Sequence, residues 1–197
     1  ADRVTAPRQL NEEGKPERSL DVIYRDAKEC NMELKDRVRE WAQVCGGMLF
    51  RKSAGKAEGD KKFVRVERRS AEEFHPLAPN KKIPERRRNG EDIHWCRVKS
   101  PSRAIEKIYR VYEGDSSWLV DLSRQSIIFD DALTLSRCLD IILNDPDVHV
   151  ERVKCRYCPG YDSSLTCGYR DVALNVRLGG RRHVCELQLI LKDFALL

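Results

Sequence analysis

Several residues have the types and spacing to do chemistry. Arg97, Lys99 and Lys107 lie around a segment that reads as a short strand entering a helix, with Ser100 as N-cap and Pro101 at the first helical position. Cations at a strand end and a helix N-terminus make a cradle for polyphosphate, although the same stretch also reads as an ordinary amphipathic helix with solvated bases. Glu186 and Gln188 share a strand face with Val184 and Ile190. A carboxylate and an amide in such company are costly to bury without partners, so they call for a lined cleft. Asp121 interrupts the apolar run Trp118 to Phe129. It either caps a local turn or faces the same cleft as Glu186. Two carboxylates brought from separate strands suit Mg²⁺, which takes a few oxygens and shares its remaining positions with phosphates and water. Cys155 and Cys158, followed by Cys167 and then His183 or Cys185, have the ligand types for zinc, although only one CxxC is present.

The elements that must hold these residues follow from periodicity. From Tyr169, the residues Val172, Leu174, Val176 and Leu178 alternate with Asp171, Ala173, Asn175 and Arg177, the period of a half-buried strand. Gly179-Gly180 then supplies a hairpin turn into a second strand through Leu191. Asp130 to Leu143 carries a helical stripe, and Val148, Val150 and Val153 read as a strand leading to Lys154 and Arg156. The order from Trp95 is strand, helix, strand, helix, strand and hairpin, which predicts an α/β domain with a mixed sheet flanked by helices. Glu17 to Val44 is a helical stripe, one helix or two broken near Asn31, ended by Gly46-Gly47. Residues 1 to 16 read as a disordered lead-in, so residues 1–60 are expected to form a polar lead-in and helical extension and 61–197 the catalytic-type domain. Ser53 to Asp60 reads as a linker, Lys62 to Glu67 as a short strand, Ala71 to Phe74 as a helical turn and Pro76 to Gly90 as a loop.

Composition narrows the partners. The 197 residues are 35% charged and 41% apolar with a net charge of +5, enough for a core. Basic charge concentrates between Lys81 and Arg110, including Arg86, Arg87 and Arg88, which suits a nucleotide, a polyphosphate or an RNA as well as a solvated face. No apolar run is long enough to span a membrane and no signal-peptide pattern is present, so a cytoplasmic location is expected. The eight cysteines fall mostly in apolar helical or strand patterns, where reduced thiols sit. The chain begins with Ala1, as a processed product or an excised piece would.

In order, Arg97-Val98-Lys99 with Lys107, Val120-Asp121, the basic Lys154 to Arg156, Gly168-Tyr169-Arg170 and Glu186-Leu187-Gln188 resemble the synthetase domain of the RelA/SpoT family, across residues 90 to 194. The resemblance implies a nucleotidyltransferase-like α/β fold. It also implies transfer of pyrophosphate from ATP to the 3′-hydroxyl of a guanosine nucleotide, the making of an alarmone; some relatives act on the 3′ end of tRNA. By the same resemblance Arg97, Lys99 and Lys107 would bind the ATP phosphates. Asp121 would hold Mg²⁺, and Glu186 would share the metal or accept the proton of the attacking hydroxyl. Tyr169 would stack on the acceptor base, and Lys154, Arg156, Arg170 and Gln188 would line the substrate site.

The chain departs from the family where the acceptor would lie. The family's G-Y-R-S-L-H is Gly168-Tyr169-Arg170-Asp171-Val172-Ala173 here, and E-x-Q-I-R-T is Glu186-Leu187-Gln188-Leu189-Ile190-Leu191. An acidic Asp171 beside a phosphate would repel it unless a metal or Arg170 intervened. The expected function is therefore a Mg²⁺-dependent pyrophosphokinase using ATP and a guanosine nucleotide. The alternatives are a catalytically altered domain that binds nucleotide or protein, and a tRNA pyrophosphokinase served by the basic residues 81 to 88.

Overall fold

The structure, a computed structural model, describes residues 6–52, 62–66 and 92–196. The linker from Ser53, the helical turn Ala71 to Phe74 and the basic loop Pro76 to Gly90 lie outside the described residues. The elements are α1 (Leu20–Cys45), β1 (Met48–Phe50), β2 (Phe63–Arg65), α2 (Pro101–Val111), β3 (Arg124–Phe129), α3 (Ala132–Leu143), β4 (Val148–Cys155), β5 (Val172–Leu178), β6 (Cys185–Leu191) and the short α4 (Lys192–Ala195). The strands form one mixed sheet in the order β2-β1-β3-β6-β5-β4. The pair β3–β6 is parallel and the others are antiparallel. This is the α/β architecture expected.

Alternation divides the sheet into two faces. One face carries Ile127, Phe129, Leu174, Val176, Leu187 and Leu189, which pack with Leu34, Val38 and Trp41 of α1 and with Leu135, Cys138 and Ile142 of α3 in one core. The N-terminal helix is thus built into the same core as the sheet. The other face carries the polar register row Arg124–Glu186–Asn175–Arg152, one residue from each of β3, β6, β5 and β4. Next to it runs Ser126–Gln188–Ala173–Lys154.

A second, smaller core joins Ile23 and Ala27 of α1 to Ala104 and Ile108 of α2 and to Leu119 and Leu122. It fixes α2 against the turn that precedes β3. α1 runs unbroken through Asn31 because that buried amide oxygen accepts from Gln125 Nε2 at 2.9 Å and from Ser123 Oγ at 3.3 Å. Ser19 caps its start and Gly46, at φ 74°, closes it in the left-handed conformation that an L side chain resists.

Four local expectations are corrected. Trp95 to Lys99 is extended but forms no strand, since the Gln125 side chain supplies its partners, accepting from Cys96 N at 3.1 Å and donating to Cys96 O at 2.9 Å. The run from Trp118 is a strand only from Arg124; Asp115 caps a 3₁₀ turn over Ser116–Trp118, and Leu119 to Ser123 continue as turn. The lead-in is anchored from Arg8 onward: Arg8 stacks over the Trp118 ring at 3.5 Å, and Gln9 is 2% exposed. Gly179-Gly180 does turn the chain, at φ 53° and 74°, but β5 and β6 pair only from Val176 and Cys185 onward, leaving a longer connection.

Candidate functional site

The turn Leu119 to Ser123 delivers Asp121 to the leading end of the parallel pair β3–β6, where Glu186 N donates to Ser123 O at 2.9 Å. Asp121 is 9% exposed. Its Oδ2 receives both Lys99 Nζ and, at 2.7 Å, Lys107 Nζ. Lys99 is placed by its backbone, whose N–H donates to Leu122 O at 3.0 Å and whose carbonyl accepts from the Tyr24 hydroxyl at 2.8 Å. Lys107 is placed by the small core under α2, with Tyr112 facing its ammonium at 5.3 Å. Burial alone would raise the Asp121 carboxyl, but the hydrogen bonds and charges of Lys107 and Lys99 outweigh it and hold the group below its usual range. Burial likewise opposes the Lys107 ammonium, and its bond to Asp121 keeps that group above its usual value.

Glu186 behaves in the opposite way. Burial, reinforced by the negative charge of Asp121, pushes its carboxyl up; Arg124 and Lys107 pull against this and lose. Arg124, opposite it in register, reaches only 4.0 Å. The two carboxylates therefore feel each other while differing in proton affinity, the pattern expected of a pair with two roles. Asp121 Oδ1 is buried and has no hydrogen-bond partner among the described residues. An orphaned carboxylate oxygen beside a second carboxylate fits a hard divalent cation such as Mg²⁺, which would find two protein oxygens here and leave its other positions to phosphate and water.

A second network lies toward β5. Asp171 is fully buried and forms an ion pair with Arg156, accepts from Gln188 Nε2 at 2.8 Å and accepts from the Tyr169 hydroxyl at 3.1 Å. Gln188 also donates to the Tyr169 oxygen at 3.2 Å, so Tyr169 is held by its hydroxyl. Burial, then the charge of Asp171 and the bond to it, raise that phenol above its usual value. The cation that neutralises Asp171 is Arg156, not Arg170. Arg170 donates to Arg156 O at 2.8 Å, Tyr161 O at 3.4 Å and Ser163 Oγ at 3.3 Å, which ties down the loop before β5.

The structure thus brings Lys99, Lys107, Asp121 and Glu186 together and joins Arg156, Tyr169 and Gln188 in a neighbouring network. Arg97 is exposed ahead of Lys99, and Lys154 is exposed on β4. Gln9 had no signal in the sequence. Its amide donates to Leu119 O at 3.0 Å and Val184 O at 2.9 Å and accepts from Val184 N at 2.8 Å, binding the two segments that carry Asp121 and Glu186. Arg124 was also missed, because its side chain faces Glu186 only once the parallel register is known.

The zinc arrangement is not assembled. Cys155, Cys158 and Cys167 are exposed, whereas Cys185 is buried against Cys30 of α1. His183 is buried, and burial lowers its imidazole to about 4. No group of three or more His, Cys, Asp or Glu with metal-binding geometry occurs among the described residues. Nor, among them, is any helix long and apolar enough to cross a membrane.

No protein-family profile matches the chain, and no curated protein matches it. Among solved structures the chain is similar to small alarmone synthetase 2 from Bacillus subtilis, at 18% identity over 56% of this chain and 62% of that one, with a TM-score of 0.42. It is similar to a GTP pyrophosphokinase family protein from Streptococcus pneumoniae, at 17% identity over 56% and 57% of the two chains, with a TM-score of 0.40. A third likeness is to the complex between the type VI effector Tas1 and its immunity protein, at 22% identity over 49% of this chain and 45% of that one, with a TM-score of 0.35. The chain spans between 45% and 62% of the length of these solved chains. Two of the three are named for alarmone synthesis or GTP pyrophosphorylation.

Proposed function

We propose that this chain is a Mg²⁺-dependent pyrophosphokinase that transfers pyrophosphate from ATP to the 3′-hydroxyl of a guanosine nucleotide. The observation that carries the reading is Asp121, clamped through one oxygen by Lys99 and Lys107 while its other oxygen is buried beside Glu186 with no hydrogen-bond partner among the described residues. Mg²⁺ held by Asp121, with Glu186 either sharing it or serving instead as the base, would neutralise charge on the transferring group. Lys99 and Lys107, with Arg97 at the mouth, meet the ATP phosphates. Glu186, whose carboxyl is raised by its surroundings, takes the proton of the attacking hydroxyl. That oxygen bonds to the β-phosphorus, the bond between the α- and β-phosphoryl groups breaks, and AMP leaves. Tyr169, fixed by Asp171 and Gln188, offers its ring to the acceptor base. These substrates accord with a cytoplasmic setting.

The test is transfer of label from ATP marked in its terminal phosphate, with Mg²⁺ and separately GDP, GTP or tRNA. Label on a guanosine nucleotide, abolished in Glu186→Gln while nucleotide binding persists, is the expected result. Absence of transfer to all three acceptors refutes the enzyme reading. One observation favours a second reading, a domain kept for binding: Asp171 and Ala173 replace the family's Ser and His, and Asp171 closes onto Arg156, Tyr169 and Gln188. Nucleotide binding without transfer is its signature.

A further inference from the structure

β4 does not pair regularly with β5. Val150 lies opposite Val176, but Arg152 lies opposite Asn175, so Glu151 is an extra residue, a β-bulge. Without it, strict alternation would set Arg152 against Leu174, on the face that carries the hydrophobic core. The bulge instead turns Arg152 onto the polar face and completes the row Arg152–Asn175–Glu186–Arg124.

Within that row, Arg152 Nε donates to Asn175 Oδ1 at 3.1 Å. An N–H can meet only the amide oxygen, so this bond fixes which way the amide points. Asn175 Nδ2 is therefore the end left over. Asn175 is 3% exposed, and its Nδ2 has no hydrogen-bond partner among the described residues. A buried donor without an acceptor costs about 1–3 kcal/mol, and its cross-strand neighbour is Glu186.

We propose that Arg152 and Asn175 form a phosphate subsite for the acceptor nucleotide. Both offer only donors to a ligand, which suits phosphoryl oxygens. The subsite lies on the β5 side of Glu186, whereas Lys99, Lys107 and Asp121 lie on the β3 side, so the acceptor and donor phosphates flank the carboxylate. It also lies on the side of Tyr169, where an acceptor base would stack. The assignment to the acceptor rests on the transferase reading above; the binding of a nucleotide polyphosphate there does not.

The experiment is equilibrium binding of guanosine, GMP, GDP and GTP, and separately ATP, to the wild type, Arg152→Ala and Asn175→Asp. Asn175→Asp keeps the shape and the acceptor for Arg152 but replaces the donor with a negative charge. Wild-type affinity should rise with the guanosine phosphates, and each variant should lose about ten-fold or more for GDP. Guanosine and ATP affinities should change by less than about two-fold. GDP affinity unchanged in both variants overturns the subsite, as does an equal loss for ATP. Label transfer separates the two ideas. Phosphate-dependent GDP binding lost in the variants, in a wild type that transfers nothing, keeps the subsite and removes the transferase. Transfer with an unaltered KM for GDP in both variants does the reverse.

Discussion

Asp171 offers the sharpest test of how the site is held. Its carboxylate is fully buried, and Arg156 is 19% exposed. Removing one partner of a buried ion pair costs about 3–5 kcal/mol, because the other is left charged and unmatched. Arg156 can partly reach water, which brings the expected cost of Asp171→Ala to about 3 kcal/mol, including the acceptor lost by Gln188 and Tyr169. For a chain of this length that corresponds to a fall of about 6–12 °C in Tm. Arg156→Met, which leaves the carboxylate buried without its cation, should cost at least as much.

The double variant separates a true pair from two independent side chains. With both charges gone, Arg156→Met/Asp171→Ala should be less destabilised than the sum of the single changes by about 2 kcal/mol or more. Denaturant unfolding of the four proteins measures this directly. Additivity within about 0.5 kcal/mol would refute the coupling and with it the account of why an acidic residue is tolerated here. A second readout is the phenol of Tyr169, raised by burial first and then by the charge of Asp171 and the bond to it. Asp171→Ala should move its ultraviolet titration to lower pH, and an unmoved phenol would mean that Asp171 does not hold Tyr169.

Other predictions are equally direct. Glu40 is raised to about 7, chiefly by burial, with Arg37 opposing and Asp145 and Asp36 reinforcing. Because the folded value lies above the ordinary value of 4.5, stability falls as pH rises between 4.5 and about 7, by at most about 1.4 kcal/mol per pH unit. Glu40→Gln should gain Tm relative to the wild type at pH 8 and lose that advantage at pH 4; a gap independent of pH contradicts the assignment. Gln9→Ala strips partners from Leu119 O and from Val184 N and O and should cost about 2–4 kcal/mol, with faster hydrogen exchange at the Val184 amide; unchanged protection there would make the clamp incidental. Deleting Glu151 removes the extra residue and leaves Arg152 opposite Asn175 in a regular ladder, so denaturant unfolding should still show a folded protein, and loss of folding would mean that the sheet needs the bulge itself. Glu151→Ala should cost under about 1 kcal/mol by losing only its ion pairs with Arg177 and His149.

The sequence made the sheet legible where alternation was clean, in β5 and β6, showed β3 as the second half of the apolar run Trp118 to Phe129, and made α1 and α3 legible through their apolar stripes. Glu186 and Asp121 stood out as polar residues within apolar runs. What alternation cannot report is where a side chain takes over the work of a backbone. Gln125 satisfies Cys96 and Asn31 at once, so the segment before Lys99 needs no strand partner. Gln9 satisfies two distant segments, and its polar surroundings in sequence resemble disorder. The Asp171 network was hidden for another reason: Arg170 is adjacent in sequence, but the backbone bond from Arg156 N to Asp171 O at 2.8 Å sets Arg156 beside the carboxylate.

The site is built at two places where the strands stop being regular. The turn ahead of β3 turns Asp121 toward Lys99 and Lys107, and the bulge in β4 turns Arg152 toward Asn175. Glu186 lies between them on β6, a strand paired on both sides. A regular strand can place a polar side chain only at every second residue of the open face. Irregularity on both flanks lifts that limit, while the paired strand between keeps the central carboxylate fixed. Lys99, Lys107, Arg124 and Arg152 then set four cations around Asp121 and Glu186, a charge balance that favours an anionic ligand. Asp121 Oδ1 and Asn175 Nδ2, one on each flank of Glu186, are both buried with no hydrogen-bond partner among the described residues. The first is an acceptor and the second a donor. A cation–polyphosphate pair supplies both counterparts at once, which is why a bare metal or a bare anion fits this face less well than the two together.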